Sequence, residues 1–127
     1  MHVTIQEPRL FDSLLCVTIN NHILDMHNDF VVHRISYGKE LEISFAGENG
    51  KEILLVKFVE FSVEKMNIDF SNKEAFLVID NFHRGRYEKD GILHDKYEGK
   101  NCYYLEFYGE AYLEILAKEI TIAFRRA

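Results

Sequence analysis

The segment from Phe30 to Val63 limits the possible folds of this chain more than any other. Leu41, Ile43 and Phe45 alternate with Glu40, Glu42 and Ser44, the two-residue period of a strand with one wet and one dry face. Gly47-Glu48-Asn49-Gly50 follows, supplying residues that tolerate positive φ in a tight connection. A return strand starts at Glu52, and the upstream run FVVHRISY (residues 30–37) reads as a further strand ending in a Gly38-Lys39 turn. The expectation is a β-hairpin within an antiparallel sheet.

The return strand breaks its own period. Leu54, Val56 and Phe58 hold even positions, whereas Val59, Phe61 and Val63 hold odd ones. A regular pleat cannot keep both sets on one face, because a one-residue shift reverses every side chain. Either residues 53–59 are buried on both faces, or a bulge near 57–59 changes the phase. Both readings imply a curved sheet, as in a barrel or a sandwich corner.

Elsewhere the periodicity is less decisive. In residues 10–26, Leu10, Leu14 and Val17 fall at helical spacing behind Asp12 or Ser13 as a cap, yet Leu15, Val17 and Ile19 would share one face of a strand. Residues 66–70 read as a short strand or a crossing segment. Ser71-Asn72-Lys73-Glu74 matches a capping box that could start a single helical turn, but Phe76-Leu77-Val78-Ile79 after it suits a strand better. Residues 83–101 are polar with three Gly, a long connection or an exposed hairpin. Strands are expected at 103–108, 112–116 and 120–124, with the last two again out of phase; residues 110–119 also present a helical face.

With 127 residues and no internal linker, the chain suits one domain spanning 1–127. Residues 1–9, with Pro8, would form a loose arm or an edge strand. A 47% apolar, 28% charged composition is incompatible with disorder. The expected class is mainly β: a single antiparallel β-barrel or β-sandwich domain, with room for one short helix. Phe30–Tyr37 left on a sheet edge would permit dimers.

The formal charge of −6 disfavours nucleic acid and anionic membranes as partners and suits a basic protein. No basic segment followed by an apolar run opens the sequence, and no apolar run reaches the roughly 20 residues of a membrane span. A cytoplasmic location is therefore expected, with Cys16 and Cys102 as reduced thiols.

Few motifs suggest chemistry. In NNHILDMHND (residues 20–29), Asp25, His27 and Asp29 would share a side of an extended chain and offer a metal three ligands. The spacing of His22 and His27 matches no regular ligand face, so a polar connection is the favoured reading. Arg84 and Arg86, either side of Gly85, could clamp an anion, though the acidic residues that follow make a solvated hairpin tip the simpler reading. No serine sits in a GxSxG elbow, and there is no P-loop or dinucleotide fingerprint. No cofactor is expected, and enzymatic activity is the less favoured class.

His27-Asn28-Asp29-Phe30-Val31, the strand to Tyr37 and Leu41-Glu42-Ile43-Ser44-Phe45 resemble the opening of certain small bacterial β-rich proteins. In those an HD pair precedes the first of several antiparallel strands, and an LxFxxVxxF segment follows. Here Val56-Lys57-Phe58-Val59-Glu60-Phe61 fits that segment in part, and Asn28 interrupts the pair. The likeness spans roughly residues 27–64 and includes no catalytic motif. Some of those proteins are immunity proteins that neutralise a cognate toxin, so the resemblance implies a binding module.

The functional expectation is a non-enzymatic protein-binding module, an immunity-type inhibitor of a basic partner among its forms. Its surface would be the acidic, tyrosine-rich stretch of Tyr104, Glu106, Tyr108, Glu110, Tyr112 and Glu114, with the 83–101 segment as a second patch. The alternative is a small-ligand-binding β-barrel whose aromatic residues line a cavity.

Overall fold

A computed structural model describes residues 2–126, of which most lie in antiparallel strands. The chain opens with β1 (His2–Ile5), β2 (Cys16–Ile19), β3 (His22–Asp25) and β4 (Phe30–Tyr37). It continues through β5 (Leu41–Gly47), β6 (Glu52–Val59), β7 (Ser62–Asn67) and, after a 3-10 turn at Lys73–Phe76, β8 (Ile79–Gly85). Then come β9 (Tyr87–Lys89), β10 (Ile92–His94), β11 (Asn101–Phe107), β12 (Tyr112–Ala117) and β13 (Glu119–Arg126).

Two larger sheets carry the fold. One has the order β1-β13-β6-β5-β4 and the other β7-β12-β11-β8. Neither closes on itself among the described residues, so the sheets form no closed barrel. Their inner faces share one core: Phe58 of β6 lies 6.0 Å, ring centre to ring centre, from both Phe82 of β8 and Tyr103 of β11. Each such fully buried side chain contributes about 2 kcal/mol. Slipping β6 by one residue would expose Leu54, Val56 and Phe58 together, so its register is strongly fixed.

The phase break in the return strand has a cause other than the expected bulge. β6 runs without a register shift against β5 through Phe58 and against β13 through Val59. At Glu60, whose φ is +49°, the chain leaves the five-stranded sheet and enters β7 of the four-stranded one. The break after β12 arises the same way, where the chain crosses back at Lys118 into β13. Bulges do occur, but elsewhere: His33 is the extra residue of β4 between Val32 and Arg34, and Glu64 that of β7 opposite Glu114 and Ile115.

Residues 10–26 contain no helix. They lead into the β2–β3 hairpin, whose Val17, Ile19 and Leu24 are buried in the common core. The helical turn after Ser71 forms as the 3-10 turn at Lys73–Phe76, in place of a strand from Phe76, but without a capping box. Asn72 occupies the cap position with no side-chain bond, Ser71 Oγ donates instead to Asp69, and the next strand starts only at Ile79. The β8 edge is covered by residues 11–14 through Phe11 N–H to Arg84 O and Leu14 N–H to Phe82 O. β1, β4 and β7 are also terminal strands of their sheets, so Phe30–Tyr37 does lie on an edge, with Val32 N–H bonded to Leu77 O. No helix among the described residues is long and apolar enough to cross a membrane.

Candidate protein-interaction surface

The stretch NNHILDMHND is a hairpin turn followed by a strand and a second turn. Asn20 and Asn21 have φ of 50° and 66°, the positive pair of a type I′ turn, and Ile19 faces His22 across it. Asp25 is not aimed at a shared ligand. Its carboxylate accepts from the backbone N–H of His27 and Asn28 and from the Asn28 side-chain amide. These bonds, the Asn28 amide first, hold its carboxyl below the usual carboxylate range. His27 Nδ1–H donates to the Ile79 carbonyl at 2.7 Å and lies 3.4 Å from Asp80. Asp25, His27 and Asp29 therefore do not line one side of an extended chain, and no group of three metal-ligating side chains forms among the described residues.

Arg84 and Arg86 do not make a clamp. Arg84 is buried and donates to the carbonyls of Pro8 and Asp95. Arg86 pairs with the Asp95 carboxylate at 2.9 Å and lies over the Phe11 ring. The 83–101 segment is structured: β8 extends to Gly85, β9 and β10 form a hairpin about Asp90-Gly91, and Tyr97 pairs with Lys100.

That hairpin buries one of the expected surface residues, Glu114, and leaves another, Tyr104, half-buried. Tyr87 follows β8, at one edge of the four-stranded sheet, yet its hydroxyl donates at 2.6 Å to Glu64 of β7 at the other edge. The chain after Gly85 thus folds across the sheet's outer face. Beneath it the register aligns His83, Tyr104, Glu114 and Lys65 in one row over four strands. Glu114 is 5% exposed, 3.8 Å from the Lys65 ammonium and 3.7 Å from Cys102 Sγ. Tyr104 stacks on His83 and donates its hydroxyl to the Arg86 carbonyl. Burial pushes the Cys102 thiol up to about 12 and raises the Tyr104 phenol well above its ordinary range. The bond to Glu64 pushes the Tyr87 phenol up to about 12. A thiol and phenols held protonated are poor nucleophiles near neutral pH, so this cluster fastens the hairpin to the sheet.

The remaining expected residues stay at the surface. Tyr108 is 70% exposed and Tyr112 41%. Glu106 and Tyr112 face each other across β11 and β12, and with Tyr104 and Glu110 they line a depression of about 220 Å³. Neither Glu106 nor Glu110 forms an ion pair among the described residues.

Sequence reasoning missed the adjoining feature. Beside the β7 edge lies an apolar groove of about 560 Å³, lined by Tyr37, Phe61, Val63, Met66 and Phe70. Tyr37 is 83% exposed, and Met66 and Phe70 are each more than half exposed. Leu113, itself buried in the core, lies behind both the groove and the acidic depression. Its local signal was Met66 and Phe70 in a segment with no clear period. By contrast, the aromatic residues offered as a cavity lining divide: Tyr103 and Phe107 fill the space between the sheets, while Tyr108 and Tyr112 face out.

No family model matches the chain, and neither does any curated protein or solved structure.

Proposed function

We propose that the chain is a non-enzymatic protein-binding module whose partner contributes a segment carrying apolar side chains followed by basic ones. We read the two large sheets as the layers of a sandwich that holds this surface rigid. The observation that carries the proposal is the exposed apolar groove beside β7 together with, at the neighbouring end of β11 and β12, an acidic depression whose Glu106 and Glu110 form no ion pair among the described residues. Exposed Tyr, Phe and Met concentrated at one groove favour a partner interface, where such side chains supply most of the binding energy. The net charge of −6 adds attraction for a basic protein at long range. An immunity-type inhibitor, covering a basic toxin, is the form that the sequence resemblance adds.

A synthetic peptide with a Leu-rich half and then a Lys-rich half, followed by fluorescence anisotropy, tests the reading. Met66→Ser/Phe70→Ala should weaken binding at every salt concentration. Glu106→Gln/Glu110→Gln should weaken it at low salt and flatten the salt dependence. Equal affinity in wild type and both variants would sink the proposal, as would no binding at about 1 mM peptide.

A further inference from the structure

β6 reads ILLVKFV over residues 53–59, the pattern of a strand covered on both faces. In the structure only one face is covered. Leu54, Val56 and Phe58 are in the core, while Ile53, Leu55 and Val59 lie half-exposed on the outer face of the five-stranded sheet. The register extends this ground sideways. Leu55 pairs with Ser44 and Ala123, a row ending at Arg34 on β4 and His2 on β1. Ile53 pairs with Ala46 and with Arg125. A floor of small and aliphatic side chains thus lies between Arg34 and Arg125, three strand spacings across and two residues along, or about 16 Å apart.

The charges around that floor have one sign in excess. Two open depressions, of about 540 and 420 Å³, meet at Leu55 and Arg125. Arg34, Lys57, Arg125 and Arg126 line them with a single carboxylate, Glu42. Lys57 is 3.7 Å from Glu42, and Arg126 3.3 Å from Glu52. Arg34 and Arg125 form no ion pair among the described residues. Glu119 lies at the far end of β13, where it accepts from Gln6.

We propose that this face binds an acidic polypeptide segment, seating carboxylates at Arg34 and Arg125 and short apolar side chains on the floor between them. An extended peptide advances about 13 Å in four residues at roughly 3.3 Å each, and the long guanidinium side chains make up the remainder of the diagonal. Carboxylates at i and i+4 share one side of such a peptide and reach both guanidinium groups. A second copy packed face to face would oppose like charges. Neither Phe nor Tyr lines either depression, so the stacking platforms of a single-stranded nucleic-acid site are missing from it. This surface is separate from the groove and the acidic depression, and the proposal does not depend on them.

The test is fluorescence anisotropy with a fluorescein-labelled peptide carrying Glu at i and i+4 and Ala and Val between. Arg34→Ala/Arg125→Ala should reduce affinity about tenfold with the melting temperature unchanged, since both side chains are exposed. Arg34→Lys/Arg125→Lys should keep part of the binding, and Glu106→Gln/Glu110→Gln should keep all of it. A peptide with Glu at i and i+3 should bind more weakly. Unchanged affinity in the double alanine variant overturns the proposal. So does equal competition by a single-stranded oligonucleotide or by inorganic phosphate. Sedimentation showing self-association of the wild type, abolished by the same two substitutions, would overturn it by making a second copy the occupant.

Discussion

The backbone N–H of Lys118 donates to the Val59 carbonyl at 2.9 Å, joining the two points at which the chain passes between the large sheets. Val59 ends β6 just before the crossing into β7, and Lys118 separates β12 from β13. Lys118→Pro removes that donor and should cost about 1–3 kcal/mol in urea unfolding. Lys118→Ala keeps the donor and loses only an exposed pair with Glu60 at 3.4 Å, so it should cost below about 1 kcal/mol. Similar losses in the two variants would mean that the side chain, not the backbone bond, holds the corner.

This corner also explains what the sequence could and could not convey. The alternation of Leu41, Ile43 and Phe45 identified the hairpin because one wet face and one dry face leave a period of two. The phase break after Phe58 was equally visible, but its cause was not: a bulge and a crossing to another sheet shift the apolar positions in the same way. The bulge at His33 was missed because Val31 and Val32 are both apolar and hide the shift. At the surface, Glu106, Tyr108, Glu110 and Tyr112 were legible as a group. Glu114 was misplaced, and Tyr104 in part, because the chain after Gly85 folds back over their row, a non-local contact with no local period. The groove joins the end of β4 to β7 and the loop after it, residues that only the topology brings together.

The turn at Asn20-Asn21 offers a stabilising change. Both residues hold positive φ, and Asn-Gly is the preferred pair for such a turn. Asn21→Gly should raise stability by a few tenths of a kcal/mol up to about 1, while Asn21→Val should lower it by about 1–2. Thermal melts read both. The same sign for the two substitutions would contradict the turn assignment.

Asp25 should give part of the acid sensitivity. Its folded carboxyl is held low, chiefly by the Asn28 amide and then by backbone N–H groups. Its stabilisation is therefore fully present above the unfolded value of about 3.9 and is lost as pH falls through the lower folded value. Asp25→Asn keeps an acceptor for the turn but cannot protonate in that range. Melting temperatures between about pH 7 and 2 should fall less steeply for Asp25→Asn than for wild type. Glu7 and Asp69, also held low by hydrogen bonds, should keep some acid sensitivity in the variant. Parallel curves would remove Asp25 from the account.

Gly85 is required by Tyr104. A Cβ at Gly85 would stand 2.5 Å from Tyr104 Cε2, and the ring is held by its bond to Arg86 and its stack on His83. Gly85→Ala should therefore cost about 1–3 kcal/mol. Adding Tyr104→Ala should cost less in that background than in wild type, because the clash disappears with the ring. Strictly additive losses in the double-mutant cycle would show that the two side chains do not compete for one space.

The two thiols should differ in reactivity as their surroundings do. Cys16 is exposed on β2, whereas Cys102 is fully buried under the Tyr87 fold-over, its thiol pushed up to about 12 mainly by burial. A thiol reagent reacts with the thiolate and needs access. At pH 8 the native protein should label at one cysteine, and the urea-unfolded protein at both. Tyr87→Phe removes the bond to Glu64 that spans the sheet, so it should speed labelling of Cys102 while leaving the Cys16 rate unchanged. Rapid labelling of Cys102 in the native wild type would mean that the fold-over opens readily, and an unchanged rate in Tyr87→Phe would mean that this bond does not hold it down.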